Sequence, residues 1–288
     1  MAARALAIRR WVTSRRGLWL LLGALLALHS LVVGGLTQGP EEVVNALLVW
    51  GGALVVLSDQ GPGWRPRPGR WGLWAGAALV LLVLWRSQQL TTLDGVASLL
   101  PTLAGVALAL LAASPRQLGP FGPAVLILGV LPVMRVLGAA IPTGALSLVT
   151  ARITQLLLML CGLPVQVQAN VVRLPGGAVE IGGPCSGNGI VAQLVGVALI
   201  FALAFPMRHR WQNAAMVLVA PLLGVVANGG RIALLALITA SELPARGWWF
   251  DFFHEHEGSL IFGGVGVLLF AWLYGMWMEW QVRQLDAP

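Results

Sequence analysis

Three short segments gather the groups in this chain that could do covalent chemistry. They are "GPCSGNG" around Cys185, "NGGR" with Asn228 and Arg231, and "FHEHEG" with His254, His256 and Gly258. A cysteine attacks as its thiolate, and a neighbouring imidazolium, guanidinium or helix N-terminus lowers the thiol's ordinary pKa of about 8.5. The turn around Cys185, Ser186 and Gly187 opens an apolar run, so unpaired N–H groups of a new helix lie close to the thiol. Its glycines let a substrate backbone approach. A histidine can take the thiol proton and return it to a leaving amine. Asn228 and Arg231, at i and i+3, project from one helical face. A guanidinium there can stabilise an oxyanion or hold a carboxylate. Each group also has a plainer reading: Cys185 as a small apolar residue, Arg231 snorkelling to an interface, the histidines as solvated loop residues. Asp251, Glu255 and Glu257 could orient His254 or raise its pKa, and read more simply as a solvated acidic edge.

The elements that must position these groups are membrane helices. Of 288 residues, 58% are hydrophobic and only 10% charged, against roughly 25% charged in soluble domains. The net charge of +7 comes from 18 basic residues. All of these are arginine, most of them in short loops between apolar runs; nucleic acid is not an expected partner. The two cysteines, Cys161 and Cys185, form no CxxC pattern, so a structural metal site and a disulfide are not expected. A crossing needs roughly 17–25 mostly apolar residues. Candidate spans are 17–36, 43–58, 71–86, 97–114, 121–141, 188–206, 211–240 and 259–279. The first is too long for a signal-peptide core and reads as a retained span.

Arginine placement sets the orientation. With a cytoplasmic N-terminus, eight crossings leave Arg4, Arg9, Arg10, Arg15, Arg16, Arg65, Arg67, Arg70, Arg116, Arg208, Arg210 and Arg283 inside, and only Arg86, Arg173 and Arg246 outside. The apolar segment 144–163 carries Thr150, Arg152, Thr154 and Gln155 in its middle. It reads as an interfacial or re-entrant helix. "VQVQANVVRL" and "AVEI", separated by "PGG", alternate like the strands of a small external hairpin. The expected fold is an all-α polytopic membrane protein with about eight spans, one interfacial helix and that hairpin. It forms a single integral domain: 17–141 for the first five spans, 142–187 for the external helix, hairpin and cysteine turn, and 188–288 for the last three spans.

The three blocks together resemble the cysteine, N-x-x-R and H-x-x-x-G motifs of the exosortase/archaeosortase family, in order and spacing, over roughly residues 140–265. The resemblance implies a membrane-embedded cysteine transpeptidase or peptidase of the bacterial inner membrane, with both termini cytoplasmic and its site on the external face. It implies membrane-anchored protein substrates whose C-terminal sorting tail has a Pro-Glu-Pro-type motif, a transmembrane helix and a basic end, and transfer of the product to an acceptor. No cofactor or metal is implied. By motif position Cys185 is the nucleophile, Arg231 the essential arginine and His254 the acid/base, because His254 with Gly258 fits H-x-x-x-G whereas position 260 is Leu260. Asn228, Ser186, Gly187, Gly258 and His256 are possible supporting residues.

Other readings stay open. Arg231, Arg135 and Arg152 could line an anion path in a transporter or channel. "HEHE" with Cys185 could hold a metal, although its spacing differs from H-E-x-x-H. Ser186 could be a nucleophile, without a G-x-S-x-G elbow around it.

Overall fold

The computed structural model describes residues 14–37, 39–59, 66–183 and 185–285. The N-terminal arginines Arg4, Arg9 and Arg10, together with Trp64 and Arg65, lie outside the described residues. Every expected span appears as a helix: α1 (Arg15–Leu36), α2 (Pro40–Ser58), α3 (Arg70–Ser87), α4 (Gly95–Ala112), α5 (Gly122–Leu128) continuing into α6 (Val130–Ala140), α7 (Thr143–Leu160), α8 (Asn188–Ala204), α9 (Arg210–Ala240) and α11 (His256–Leu285). A short helix, α10 (Arg246–His254), precedes α11 and was not anticipated. Among the described residues seven helices are long and apolar enough to cross a membrane, with α5 and α6 counted together. This is an all-α polytopic membrane protein.

Two differences from the sequence reading concern the region before the cysteine turn. The 18-residue α7, read as interfacial, is itself long and apolar enough to cross. Its polar residues are spent inward: Thr150 and Thr154 are fully buried, while Arg152 bonds Gln155 on an exposed face at 3.1 Å. The hairpin is a three-stranded antiparallel meander of β1 (Gln166–Gln168), β2 (Val171–Leu174) and β3 (Gly177–Glu180). "VQVQANVVRL" folds back on itself because Ala169 takes a left-handed conformation, φ 52°. Val172 pairs with Val179, and period-two alternation turns Val172, Leu174 and Val179 inward while Arg173 faces out.

The helices form two compact units. The first, Met1–Gln38 with Glu42–Val133, packs α1, α3 and α5 around α4. In it the fully buried Trp50 donates to His29 Nδ1 at 3.3 Å.

The second unit, Gly39–Glu41 with Met134–Pro288, is organised by α9. At 31 residues it is about 46 Å long, well beyond a hydrocarbon core of about 30 Å. Its N-terminal part packs along α8, where Gly224 lies against the Val191 backbone. Its C-terminal part carries the sheet, with Gly177 against the Thr239 backbone. Ile232, Leu235 and Ala236 join Val172, Leu174, Val179 and Ile181 in one apolar cluster. Near the opposite end, Tyr274 of α11 is 1% exposed and donates to the Phe205 carbonyl at 2.7 Å, with Asn213 Oδ1 at 3.2 Å. Tyr274→Phe is therefore expected to destabilise the protein by about 0.6–1.5 kcal/mol. A lowered melting temperature in detergent, with no such fall in the exposed-site control Trp272→Phe, checks this.

Candidate active site

Cys185 sits in the turn that opens α8, as its sequence context requires. Gly187 takes φ 96°, a left-handed backbone that favours glycine, and the next residue starts the helix. The turn closes through Cys185 N–H to the Gly182 carbonyl at 3.1 Å and Ser186 N–H to the Gly183 carbonyl at 3.3 Å. The Ser186 hydroxyl is buried, 2.8 Å from the Gly183 carbonyl and 3.0 Å from Asn188 Oδ1, so it is a structural group of the turn. Two neighbouring helices fasten the turn from outside. Thr150 of α7 donates to the Ser186 carbonyl at 3.0 Å. Asn188 donates to the Gly138 and Ile141 carbonyls at 3.2 Å each, closing the C-terminal end of α6.

Asn228 and Arg231 do share a face, and each holds a different turn. The fully buried Asn228 donates to the Cys185 carbonyl at 2.9 Å. A side chain at 187 would overlap its amide, so Gly187 supplies space as well as conformation. Asn228 Oδ1 is buried with no partner among the described residues. Arg231, 2% exposed, reaches the end of α10: Nε donates to the Phe253 carbonyl at 2.8 Å, and Nη2 to the carbonyls of His254 and, at 3.3 Å, Glu255. A guanidinium suits the last carbonyls of a helix, which carry partial negative charge. Gly258 belongs to the same contact, because a side chain there would strike the Phe253 carbonyl.

His254 is thereby held as the last residue of α10, half-buried, its ring stacked on Phe250 with centroids 5.3 Å apart. Asp251, Glu255 and Glu257 are exposed. His256 is not part of this stack; its Nδ1 meets the Glu41 carboxylate at 3.1–3.2 Å. Among the described residues no group of three or more His, Cys, Asp or Glu side chains is placed to hold a metal ion.

The thiol is not open to solvent. Cys185 is 2% exposed and belongs to the apolar cluster against which Phe250 and Phe253 of α10 pack. Burial pushes its pKa up from the ordinary thiol value, and the Arg231 charge pulls it back down. Cys161 is a free, exposed thiol. Position along α9 matters too: Arg231 lies 21 residues beyond Arg210, about 32 Å along the helix. With Arg210 at one interface, Arg231 stands at the far edge of a hydrocarbon core about 30 Å thick, not at its middle.

The anchoring groups Thr150, Asn188 and Glu41 escaped the sequence reading. Thr150 was visible as a polar residue in an apolar helix; Asn188 and Glu41 bond partners 47 and 215 residues away and carry no local signal. Removing the Arg231 charge leaves burial unopposed at the thiol. In a Cys161→Ser background, Arg231→Gln is expected to raise the pH midpoint of Cys185 alkylation and to slow alkylation at pH 8. An unchanged pH profile would contradict this.

Comparisons with known proteins bear on the family of the chain. No curated protein and no solved structure matched the chain. The family model for transmembrane exosortases matches residues 38–271, a stretch that contains α2 to α10, the cysteine turn and both motif residues of α9. The chain belongs to the transmembrane exosortase family.

Proposed function

We propose that this protein is a cysteine peptidase or transpeptidase that cuts C-terminal sorting tails at the external face of the bacterial inner membrane. The tail has a Pro-Glu-Pro-type motif, a membrane helix and a basic end. The observation that carries the reading is the double attachment on α9: Asn228 holds the Cys185 turn and Arg231, one helical turn further on, holds the His254 turn. A nucleophile and a candidate base are thus fixed to one rigid element. The arginine bias of the loops, counted with eight crossings and α7 lying in the interface or re-entering, supports an external location for that end, with both termini cytoplasmic.

In this mechanism the Cys185 thiol passes its proton to His254. The thiolate then attacks the scissile carbonyl, the C–S bond forms, and the C–N bond breaks as His254 returns the proton to the leaving amine. The resulting thioester is resolved by an acceptor nucleophile or by water, which frees the thiol. Arg231 acts as a positioning residue: its engaged nitrogens serve the carbonyls of 253–255, and its charge favours the thiolate. The unpaired Asn228 Oδ1 is an acceptor available to a substrate N–H. A tail helix docked in the bilayer holds the motif beside the turn and offsets orientational entropy. Because the thiol is buried, the packing around it has to open when the tail binds. An anion path through Arg231 fits less well, since this arginine lies at the edge of the core and is already satisfied by carbonyls.

Co-expression with a tagged protein bearing such a tail tests the reading by the mass of the product. Wild type is expected to remove the tail, Cys185→Ala to abolish removal at matched abundance, and His254→Ala to lower the rate by about 10²–10⁴-fold. Equal processing by wild type and Cys185→Ala would overturn the cysteine mechanism.

A further inference from the structure

One ionisable pair of the second unit is left unused by this mechanism. His256 Nδ1 lies 3.1–3.2 Å from both oxygens of Glu41, and since a carboxylate only accepts, Nδ1 carries the hydrogen. The Glu41 carboxylate is also within electrostatic reach of Arg231. Residues Gly39–Glu41 group with the second unit, whereas the chain from Glu42 to Val133 groups with the first. The contact has a steric requirement: a side chain at position 39 would overlap both the Glu41 carboxylate and the His256 ring. Both partners are partly exposed, Glu41 at 26% and His256 at 52% of their side chains.

Arg231 is a poor reader of a substrate carboxylate, because Nε and Nη2 are committed to the carbonyls that end α10. His256, two residues beyond His254, already holds a carboxylate at this place. That carboxylate belongs to a Pro–Glu dipeptide, Pro40–Glu41, the same two residues that begin the tail motif. We infer that His256 is the specificity residue for the motif's glutamate, and that Pro40–Glu41 occupies the glutamate's position until a tail displaces it. The inference rests on the tail substrate named under Proposed function. The weakness of a half-exposed pair suits a placeholder: such contacts are worth little against solvent, so an incoming Pro–Glu segment exchanges for Glu41 without a large barrier.

The test compares two tails, identical except that the motif glutamate is glutamine in one, across wild type, Glu41→Gln, Glu42→Gln and His256→Ala. Wild type is expected to favour the glutamate tail by about threefold to fivefold in kcat/KM. His256→Ala is expected to process both tails equally. Glu41→Gln is expected to lower KM for the glutamate tail by a similar factor, with Glu42→Gln leaving KM where it is. His256→Gln takes the place of His256→Ala if the latter fails to accumulate. Undiminished preference without His256, or an unmoved KM in Glu41→Gln, overturns the inference while processing by wild type keeps the tail reading intact. If wild type processes neither tail, that reading fails and the inference falls with it.

Discussion

A guanidinium buried where a membrane helix leaves the hydrocarbon core has to find acceptors, and Arg231 finds them at the end of α10. A buried charge left without hydrogen-bond partners there is costly. The acceptors are carbonyls that a helix terminus leaves unpaired in any case, so two deficits cancel in one contact. Three residues earlier on the same face, Asn228 meets the Cys185 carbonyl. The N-x-x-R spacing thus acts as a clip: one turn of α9 holds the thiol loop and the histidine helix together, and the glycines at 187 and 258 clear the space each contact needs. The length of α9 and the sheet packed on its C-terminal part serve the same end, since they give the clip a rigid mount beyond the apolar core.

The helices were legible because membrane helices announce themselves by length and hydropathy: each of the eight expected spans forms as a helix. Arg70–Ser87 and the 17-residue Asn188–Ala204, however, are not among the seven described helices long and apolar enough to cross. The three chemical blocks were legible for a related reason: polar groups are scarce in such a chain, so Cys185, Arg231 and His254 stand out from their surroundings. The partners of Arg231 were not. Its side chain reads from sequence as an oxyanion or carboxylate binder, and nothing local says that backbone carbonyls 22–24 residues away will take it. Helix α10 was hidden by its composition, an aromatic run without apolar periodicity. The third strand was hidden because its turn rests on a left-handed alanine, Ala169, where glycine or asparagine would have signalled a reversal. Helix α7 was misleading for the opposite reason. Its threonines suggested an interfacial surface, yet Thr150 and Thr154 face inward and bond the carbonyls of Ser186 and Gly229.

The chemistry follows from opposing influences on one thiol. Burial disfavours the thiolate and Arg231 opposes that effect, so the thiol proposed as nucleophile is shielded and feels a charge whose bonds hold the end of α10. In the proposed mechanism this division of labour lets Arg231 act on the site without touching the reacting atoms. It also leaves carboxylate recognition to another group, the role inferred above for His256, whose Nδ1 meets Glu41.

The clip is tested most directly by hydrogen exchange along the backbone of the wild type and two variants in the same detergent. Arg231→Gln is expected to speed exchange across 246–258 while 182–191 changes less; Asn228→Leu is expected to do the reverse. Exchange in the remainder of α8 and α11 is expected to stay as in wild type. If either variant leaves its own turn as protected as before, or loosens the whole chain uniformly, the two residues do not hold the two turns and the site needs another explanation.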